Sequence, residues 1–329
     1  MISIKDIARK CNVSIATVSK ALNNAPDISK STKSKILKVA EELGYTANYS
    51  ARALRTNRTH NIGVLYADSQ KIFTHDFFSN VLESFKVEAE KNGYDITFIN
   101  EHLLNNNTTY RKYCEFRSFD GVVIITAKFD DKEILELVQS DIPVVTIDHV
   151  YNNCSSVISD NTNGMSELLE YAIKLGHKKI AYIHGENTWV TKDRLTGFYA
   201  TMAKYKLSIP DEYLVEGEYR NPELAKKKTE ELLSLKNPPT CICYPDDYSM
   251  LLAVQTIKES GLNVSYLGYD GIDISKIMNI TTYEQDRQSL GKFAARKLID
   301  RIENPNSLIE HAVINGKVRI GDSVKMIKD

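Results

Sequence analysis

The chain has 329 residues, of which 42% are hydrophobic and 26% are charged, enough to form the cores of two or three domains. No apolar run long enough to span a membrane is present, and the charged N-terminal residues do not fit a signal peptide, so we expect a cytoplasmic protein without a membrane span. The net charge of −1 conceals an asymmetry, because residues 1–60 carry +7 and the remainder carries −8. A basic segment attached to an acidic body indicates a polyanion-binding module joined to a second module.

Three short amphipathic helices fit into the first 44 residues. Ser3 can cap the first helix together with Asp6, and a tight turn follows at residues 12–14. Ser14 then caps the second helix, and the third runs from about Ser31 to Gly44. The expected buried side chains are Ile4, Ile7, Ala8, Cys11, Val18, Ala21, Leu22, Ile36, Leu37, Ala40 and Leu43. Two helices joined by a short turn, with a third packed across them, form a helix-turn-helix.

The second helix presents a low surface of small and hydroxylated side chains. Its expected outward residues are Ile15, Ala16, Thr17, Ser19 and Lys20. Such a surface can enter the major groove of DNA, with hydroxyls for the phosphates and a cation for a base edge or a phosphate. A generic three-helix bundle is the alternative, but the basic charge of this segment favours DNA binding.

The stretch SIKDIARKCNVSIATVSKALNN, residues 3–24, resembles the DNA-binding head of the lactose/galactose-repressor (LacI/GalR) family. The match continues through Ser29, Thr32 and ELGY at 42–45. The resemblance implies binding to double-stranded operator DNA. Besides the outward face of the second helix, it assigns DNA contacts to Ser3, Ser14, Asn23, Ser29, Thr32 and Tyr45.

The segment NYSARALRTN, residues 48–57, is too short to hold a helix alone, because helix nucleation costs more than so few hydrogen bonds return. By resemblance it is a hinge that becomes helical on the operator, where the two copies in a homodimer pack together. Leu54 would insert into a minor-groove step, and Asn48 and Ala51 would face the groove and the backbone. A flexible basic linker is the alternative.

From residue 62 onwards, strand-like and helix-like segments alternate, and the cycle restarts near residue 180. This order predicts an α/β fold of two lobes, each with a doubly wound parallel sheet, and a cleft between them. The stretches at 160–185, 193–198 and 268–273 resemble the periplasmic-binding-protein-like core of the same family. We expect a helix-turn-helix domain at 1–46, a hinge at 47–60 and an effector-binding and dimerisation core at 61–329. The expected N-lobe covers about 61–159 and 287–319, and the C-lobe covers about 160–286 and 320–329.

Ligands of open α/β sheets bind beyond the carboxyl ends of the strands. Asp246 and Asp270 end predicted strands and can accept hydrogen bonds from sugar hydroxyls. A strand-end aspartate can instead cap the following helix, and the neighbouring Asp246 and Asp247 leave that choice open. By resemblance, Arg194 holds effector hydroxyls or a carboxylate with its planar fork. The predicted effector-binding residues are Phe77, Asp160, Arg194, Tyr219, Asp246 and Asp270, with Phe77 and Tyr219 stacking on a sugar ring.

The resemblance implies a repressor of carbohydrate-utilisation genes that leaves a palindromic operator when a small sugar binds in the cleft. A regulator that uses a small-molecule or phosphocarrier-protein corepressor is the first alternative. A plain sugar-binding protein and an α/β enzyme are more remote. The sequence lacks GxGxxG, the P-loop pattern and GxSxG, and its cysteines and histidines show no metal-ligand spacing. We therefore expect no catalytic residues, metal site or cofactor.

Overall fold

The computed structural model describes residues 2–22, 25–45, 58–66, 76–99 and 108–327. These fall into two compact units, Met1–Thr59 and His60–Asp329. Four of the predicted DNA-contacting residues lie outside the described residues, namely Asn23, Asn48, Ala51 and Leu54.

The described residues of the N-terminal unit form three helices, α1 Ile4–Cys11, α2 Ile15–Leu22 and α3 Lys30–Glu42. Asp6 accepts hydrogen bonds from the backbone N–H of Ser3 at 2.9 Å and from its hydroxyl at 2.6 Å, so the predicted cap of α1 forms. The helices enclose a small core centred on Ile7, Val18 and Ile36.

One predicted core residue of this unit is misplaced. Leu37 was expected inside, but its side chain is 43% exposed. In α3 the side facing the other helices carries Ile36 and Ala40, and Leu37 is turned from Ile36 towards solvent.

The second unit contains twelve strands and nine α-helices among its described residues. The strands are β1 Asn61–Tyr66, β2 Asp95–Phe98, β3 Gly121–Thr126, β4 Val144–Ile147, β5 Ser155–Ser159, β6 Ile180–His184, β7 Leu214–Glu216, β8 Cys241–Cys243, β9 Ser265–Asp270, β10 Thr282–Glu284, β11 His311–Ile314 and β12 Lys317–Arg319. The helices are α4 Asp76–Lys91, α5 Tyr110–Arg117, α6 Lys132–Val138, α7 Asn161–Lys174, α8 Trp189–Lys204, α9 Pro222–Leu233, α10 Leu251–Glu259, α11 Asp273–Ile277 and α12 Arg287–Glu303.

Two six-stranded sheets form the two lobes. The first lobe has the order β11-β5-β4-β3-β1-β2, and every neighbouring pair in it is parallel. The second lobe has the order β12-β10-β9-β8-β6-β7, parallel except for the antiparallel pair β10–β12. Buried apolar clusters lie in both lobes, and the strands are mostly buried on both faces, as doubly wound sheets require.

The chain returns to the second lobe earlier than the sequence indicated. We expected the N-lobe to extend to residue 319, but Lys317–Arg319 pairs with β10 in the second sheet. Gly316 makes this early crossing possible, because a Cβ there would lie 2.4 Å from the carbonyl oxygen of Glu284. Among the described helices, none combines the length and apolar character needed to cross a membrane.

Candidate DNA-binding and effector sites

The outward face of α2 is the one that the sequence predicts. Ile15 is 49% exposed, Ala16 and Lys20 are also exposed, and Thr17 and Ser19 are partly buried. Ile15 therefore lies on the surface of the unit, where the predicted contact with DNA requires it.

Two serine–threonine pairs define the N-termini of α2 and α3. The hydroxyl of Ser14 accepts a hydrogen bond from the backbone N–H of Thr17 at 3.0 Å, and Ser29 accepts from the backbone N–H of Thr32 at 3.2 Å. Each serine hydroxyl also lies 2.8 Å from the hydroxyl of its threonine partner. These predicted DNA contacts are therefore also helix caps, at helix ends that favour phosphate.

The remaining described residues of the predicted DNA surface have partners within the N-terminal unit. Lys20 forms an ion pair with Asp27, and more than half of each side chain is exposed. Such a pair stabilises a fold little and is readily exchanged for a phosphate contact. Tyr45 packs against the core of the unit, and Ser3 is engaged by Asp6.

Arg194 is the centre of the candidate effector site. Its guanidinium is held by the second lobe, because Nε donates to Asn161 Oδ1 at 2.8 Å and Nη1 donates to the carbonyl oxygen of Pro245 at 2.6 Å. Nη2 lies 3.8 Å from Asp270 Oδ1, and the guanidinium carbon lies 3.5 Å from the ring centroid of Tyr269. Only 3% of Arg194 is exposed, so this cation is fixed before any ligand arrives.

Asp270 and Asp148 are carboxylates of different lobes, and the charge of Arg194 acts on both. Asp270 ends β9 with a φ of 105° and accepts a hydrogen bond from Gln285 Nε2 at 2.6 Å. Asp148 follows β4 of the first lobe and accepts from the backbone N–H of Ser159 at 2.8 Å. Burial raises the pKa of both carboxyl groups, and the charge of Arg194 opposes that shift. The sequence analysis did not predict Asp148 or Gln285 as site residues. Asp148 could have been predicted, because it follows a strand as Asp246 and Asp270 do.

The carboxylates of Asp246 and Asp160 accept hydrogen bonds from neighbouring residues of the protein. Asp246 accepts from the backbone N–H of Ser249 at 2.6 Å, from the Ser249 hydroxyl at 2.7 Å and from the backbone N–H of Arg220 at 2.8 Å. Asp160 caps α7 by accepting two hydrogen bonds from Asn163, at 3.1 Å and 2.7 Å. Asp160 therefore caps α7, whereas Asp246 holds the turn before α10, whose N-cap residue is Met250.

The carboxylate of Asp247 likewise accepts hydrogen bonds within the second lobe. It accepts hydrogen bonds from Thr282 at 2.7 Å, from Ser275 at 2.8 Å and from the backbone N–H of Ile272 at 3.0 Å. Burial raises the pKa of Asp247 to about 7. This carboxyl joins the end of β8 to β10 and to the start of α11.

Phe77 is a second correction to the predicted site. Its side chain is 4% exposed and belongs to the core of the first lobe, so it cannot stack on a ligand. Its neighbour Phe78 points elsewhere, because one helical step turns a side chain by about 100°. The Phe78 ring lies 5.7 Å from that of Tyr66 and 5.6 Å from the guanidinium carbon of Arg220, which comes from the second lobe.

Tyr219 lies beside Arg194. Its hydroxyl is 2.8 Å from Thr191 Oγ1, and its ring lies over Gly185, where a Cβ would come within 2.1 Å of it. The guanidinium carbon of Arg194 is 5.7 Å from the Tyr219 ring centroid. Tyr219 therefore forms one side of the site around Arg194.

A separate surface groove of about 350 Å³ lies against β7. It is lined by Glu212, Leu214, Val215, Glu216, Glu231, Leu232 and Leu235. None of the predicted effector residues lines this groove, so it is not the site described above.

Comparison with known protein families gives two matches that together cover most of the chain. Residues 3–48 match the bacterial regulatory proteins of the lacI family. Residues 59–317 match the periplasmic binding proteins and sugar binding domain of the LacI family.

Similar proteins align over nearly the full length. The chain is 30% identical to the probable HTH-type transcriptional repressor ExuR of Bacillus subtilis over 337 residues, 99% of each chain. It is 29% identical to the HTH-type transcriptional repressor PurR of Photobacterium profundum, again over 99% of each chain.

Solved structures show the same fold. The lac repressor dimer bound to operator and the anti-inducer ONPF aligns with a TM-score of 0.81 at 22% identity, over 98% of this chain and 99% of that one. A complex of the transcriptional regulator CelR with cellobiose aligns with a TM-score of 0.73 at 20% identity, over 98% and 100% of the two chains. The helix-turn-helix head, the two-lobed core and the full-length relatives agree, and the chain belongs to the LacI family of DNA-binding transcriptional regulators.

Proposed function

We propose that this regulator represses carbohydrate-utilisation genes as a homodimer on a palindromic operator and is released by a small sugar bound between its lobes. The observation that carries the proposal is the buried guanidinium of Arg194, whose Nη2 lies 3.8 Å from Asp270 Oδ1 of its own lobe and whose charge opposes the raised pKa of Asp148 in the other lobe.

The chemistry of this arrangement suits a polyhydroxylated ligand. A sugar hydroxyl both donates and accepts hydrogen bonds, whereas the guanidinium only donates and an ionised carboxylate only accepts. Arg194 can therefore donate to one sugar hydroxyl, and Asp148 and Asp270 can accept from neighbouring hydroxyls. Tyr219 supplies an aromatic face next to these polar groups, as sugar sites commonly require.

A ligand bound between the two lobes can change the affinity of the protein for DNA. A sugar that contacts Asp148 and Arg194 together stabilises one arrangement of the lobes over another, and only such a difference in affinity can change DNA binding. In the proposed mechanism, this rearrangement separates the two hinge segments of the dimer, so that Leu54 no longer enters the minor groove. The exposed face of α2 supplies the sequence-reading contacts.

The test begins with the full-length protein and a random duplex library, from which the preferred DNA site is selected. An approximately palindromic site is expected, because a two-fold symmetric dimer reads two half-sites. Release of that DNA is then measured by fluorescence anisotropy while glucose, galactose, xylose and the disaccharides cellobiose, lactose and xylobiose are added in turn.

Arg194→Lys is the diagnostic variant, since it keeps the charge but loses the planar fork. It should bind the selected DNA like the wild type and fail to respond to the sugar. A regulator whose DNA affinity rises with the ligand would instead support the corepressor alternative, and one indifferent to every sugar would contradict a sugar effector.

A further inference from the structure

Lys20 and Asp27 form an ion pair within the predicted DNA surface. Lys20 lies in the last turn of α2, and Asp27 lies two residues before Ser29, which caps α3. The backbone N–H of Ala25 donates to the carbonyl oxygen of Lys20 at 3.0 Å, so the chain turns back at the end of α2. This turn brings Asp27 beside Lys20, whose Nζ donates to Asp27 Oδ2. A cation that is predicted to contact DNA is therefore neutralised before any DNA is present.

The fold of the N-terminal unit has little use for the carboxylate of Asp27. Two other acidic residues have structural partners, because Asp6 caps α1 and Glu42 joins α3 to α1 by an ion pair of 3.3 Å. Asp27 does not cap α3, since Ser29 does so. Its ion pair with Lys20 joins two side chains that are each more than half exposed, and such a pair contributes little to stability. The main effect of Asp27 is therefore on DNA binding.

A carboxylate at this position opposes DNA binding in two ways. It repels the phosphates that the N-terminus of α3 is predicted to contact, and it holds the charge of Lys20. The hydrogen bond from Lys20 is the largest cause that lowers the pKa of Asp27, so the carboxylate is ionised at neutral pH. Lys20 therefore contacts DNA only after leaving Asp27, and only an acceptor that is held close to it can take the place of Asp27.

Operator DNA and other DNA differ in how they present such an acceptor. On the operator, base contacts of α2 hold this helix in the major groove in one register, so Lys20 meets the same acceptor throughout the lifetime of the complex. On other sequences, binding is electrostatic and the protein slides and hops along the duplex. No fixed acceptor then replaces Asp27, and the ion pair persists.

We propose that Asp27 is a specificity-determining residue that withholds Lys20 from non-operator DNA. The Lys20–Asp27 pair stays closed on DNA of arbitrary sequence and opens on the operator. Asp27 therefore weakens non-specific binding more than specific binding, and specificity is gained by penalising the wrong partner. This inference concerns only the binding of DNA and does not depend on the proposed effector.

The experiment uses full-length protein without effector and measures affinity for two duplexes by fluorescence anisotropy. One duplex is the site selected with the wild type, and the other has the same base composition in scrambled order. Asp27→Asn keeps the size of the side chain and removes its charge. It should raise the affinity for the scrambled duplex roughly threefold, as expected for an exposed ion pair, and the affinity for the selected site clearly less. The ratio of specific to non-specific affinity should therefore fall, and the fall should become smaller as salt screens these charges.

Two controls show whether Asp27 acts through Lys20 or only through net charge. Glu41→Gln removes one negative charge from an exposed residue near the end of α3, so it should raise both affinities by the same factor. In the Lys20→Gln background, Asp27→Asn should also raise both affinities equally, because no lysine remains to be released. Thermal melting of each variant checks that the fold is intact.

The inference is wrong if Asp27→Asn leaves the ratio of specific to non-specific affinity unchanged or raises it. It is also wrong if the ratio still falls when Lys20 has been replaced, since Asp27 would then act without its partner. A wild type that bound both duplexes alike would overturn the inference as well, because there would be no specificity for Asp27 to set. None of these outcomes bears on the sugar effector, which is absent from the measurement.

Discussion

The guanidinium of Arg220 in the second lobe donates a hydrogen bond of 3.3 Å to the hydroxyl of Tyr66 in the first lobe. Tyr66 ends β1, and the backbone N–H of Arg220 donates to Asp246, so the bridge joins one fixed point of each lobe. Because it connects the two lobes, its strength contributes to the balance between lobe arrangements.

We expect Tyr66→Phe to destabilise the arrangement of the lobes in which the Arg220–Tyr66 bridge forms. The substitution removes the acceptor and keeps the ring against Phe78, and a hydrogen bond to a charged group contributes about 1.5–3 kcal/mol. Small-angle X-ray scattering of the ligand-free variant should give a larger radius of gyration than that of the wild type. An unchanged radius and unchanged effector affinity would show that the bridge does not hold the lobes.

Phe77 and Phe78 form a matched pair for testing which of the two phenylalanines contacts the effector. We expect this residue to be Phe78, because Phe77 is buried in the core. Phe77→Ala should lower the free energy of unfolding by roughly 3–5 kcal/mol, because it leaves a cavity in the first-lobe core. Phe78→Ala should cost clearly less stability, since Phe78 is only partly buried, and should weaken effector binding instead. Chemical denaturation measures the stability of both variants, and ligand titration measures their effector affinity. If Phe77 were the ligand contact, Phe77→Ala would lose more effector affinity than Phe78→Ala.

Asp247 should make a pH-dependent contribution to stability. Its pKa is about 7 in the folded protein against an ordinary value of 3.8, so the folded state holds the proton more tightly than the unfolded state. The stabilisation is fully present below the unfolded pKa and is lost as pH rises towards about 7.

The comparison with Asp247→Asn isolates this contribution, because asparagine stays neutral throughout. The free energy of unfolding of the variant minus that of the wild type should rise between pH 4 and pH 7 and then level off. A difference that is flat across this range would place the pKa of Asp247 near its ordinary value.

Substitutions on α2 should separate sequence reading from electrostatic attraction. Ile15→Ala removes an exposed side chain, so we expect a change in stability within about 0.5 kcal/mol and a loss of specific but not of non-specific DNA binding. Lys20→Gln should weaken binding to all DNA sequences and reduce the salt dependence by about one unit of slope. If both variants lost specific and non-specific binding in the same proportion, α2 would not be the reading helix.

Deleting residues 1–57 tests the separation of DNA binding from effector binding along the chain. DNA binding should be abolished, while a folded core that binds the effector should remain, because the two compact units divide after Thr59. In the full-length protein, Leu54→Ala should reduce specific binding much more than non-specific binding, as expected for a minor-groove wedge. Equal losses would make the segment a simple linker.

The architecture could be predicted from local sequence patterns. Helical periodicity and capping residues located all three N-terminal helices, and the alternation of apolar strands with helices indicated two parallel sheets, because these patterns depend on neighbours within a few residues. Arg194 was also identifiable, since the motif around it is local. The burial of Phe77, which we predicted as a ligand contact, depended instead on the rotation of α4 against the first-lobe core.

The use of strand-end side chains became clear only in the folded chain. Asp246 accepts hydrogen bonds from Ser249 and Arg220, whereas Asp270 lies 3.8 Å from Arg194 in the same lobe. The pairing of β12 with β10 and the meeting of His149 with Trp189 likewise join residues that are distant in sequence. A carboxylate at a strand end looks the same in every sequence, and whether it binds a ligand or a backbone amide depends on which donors the completed fold places beside it.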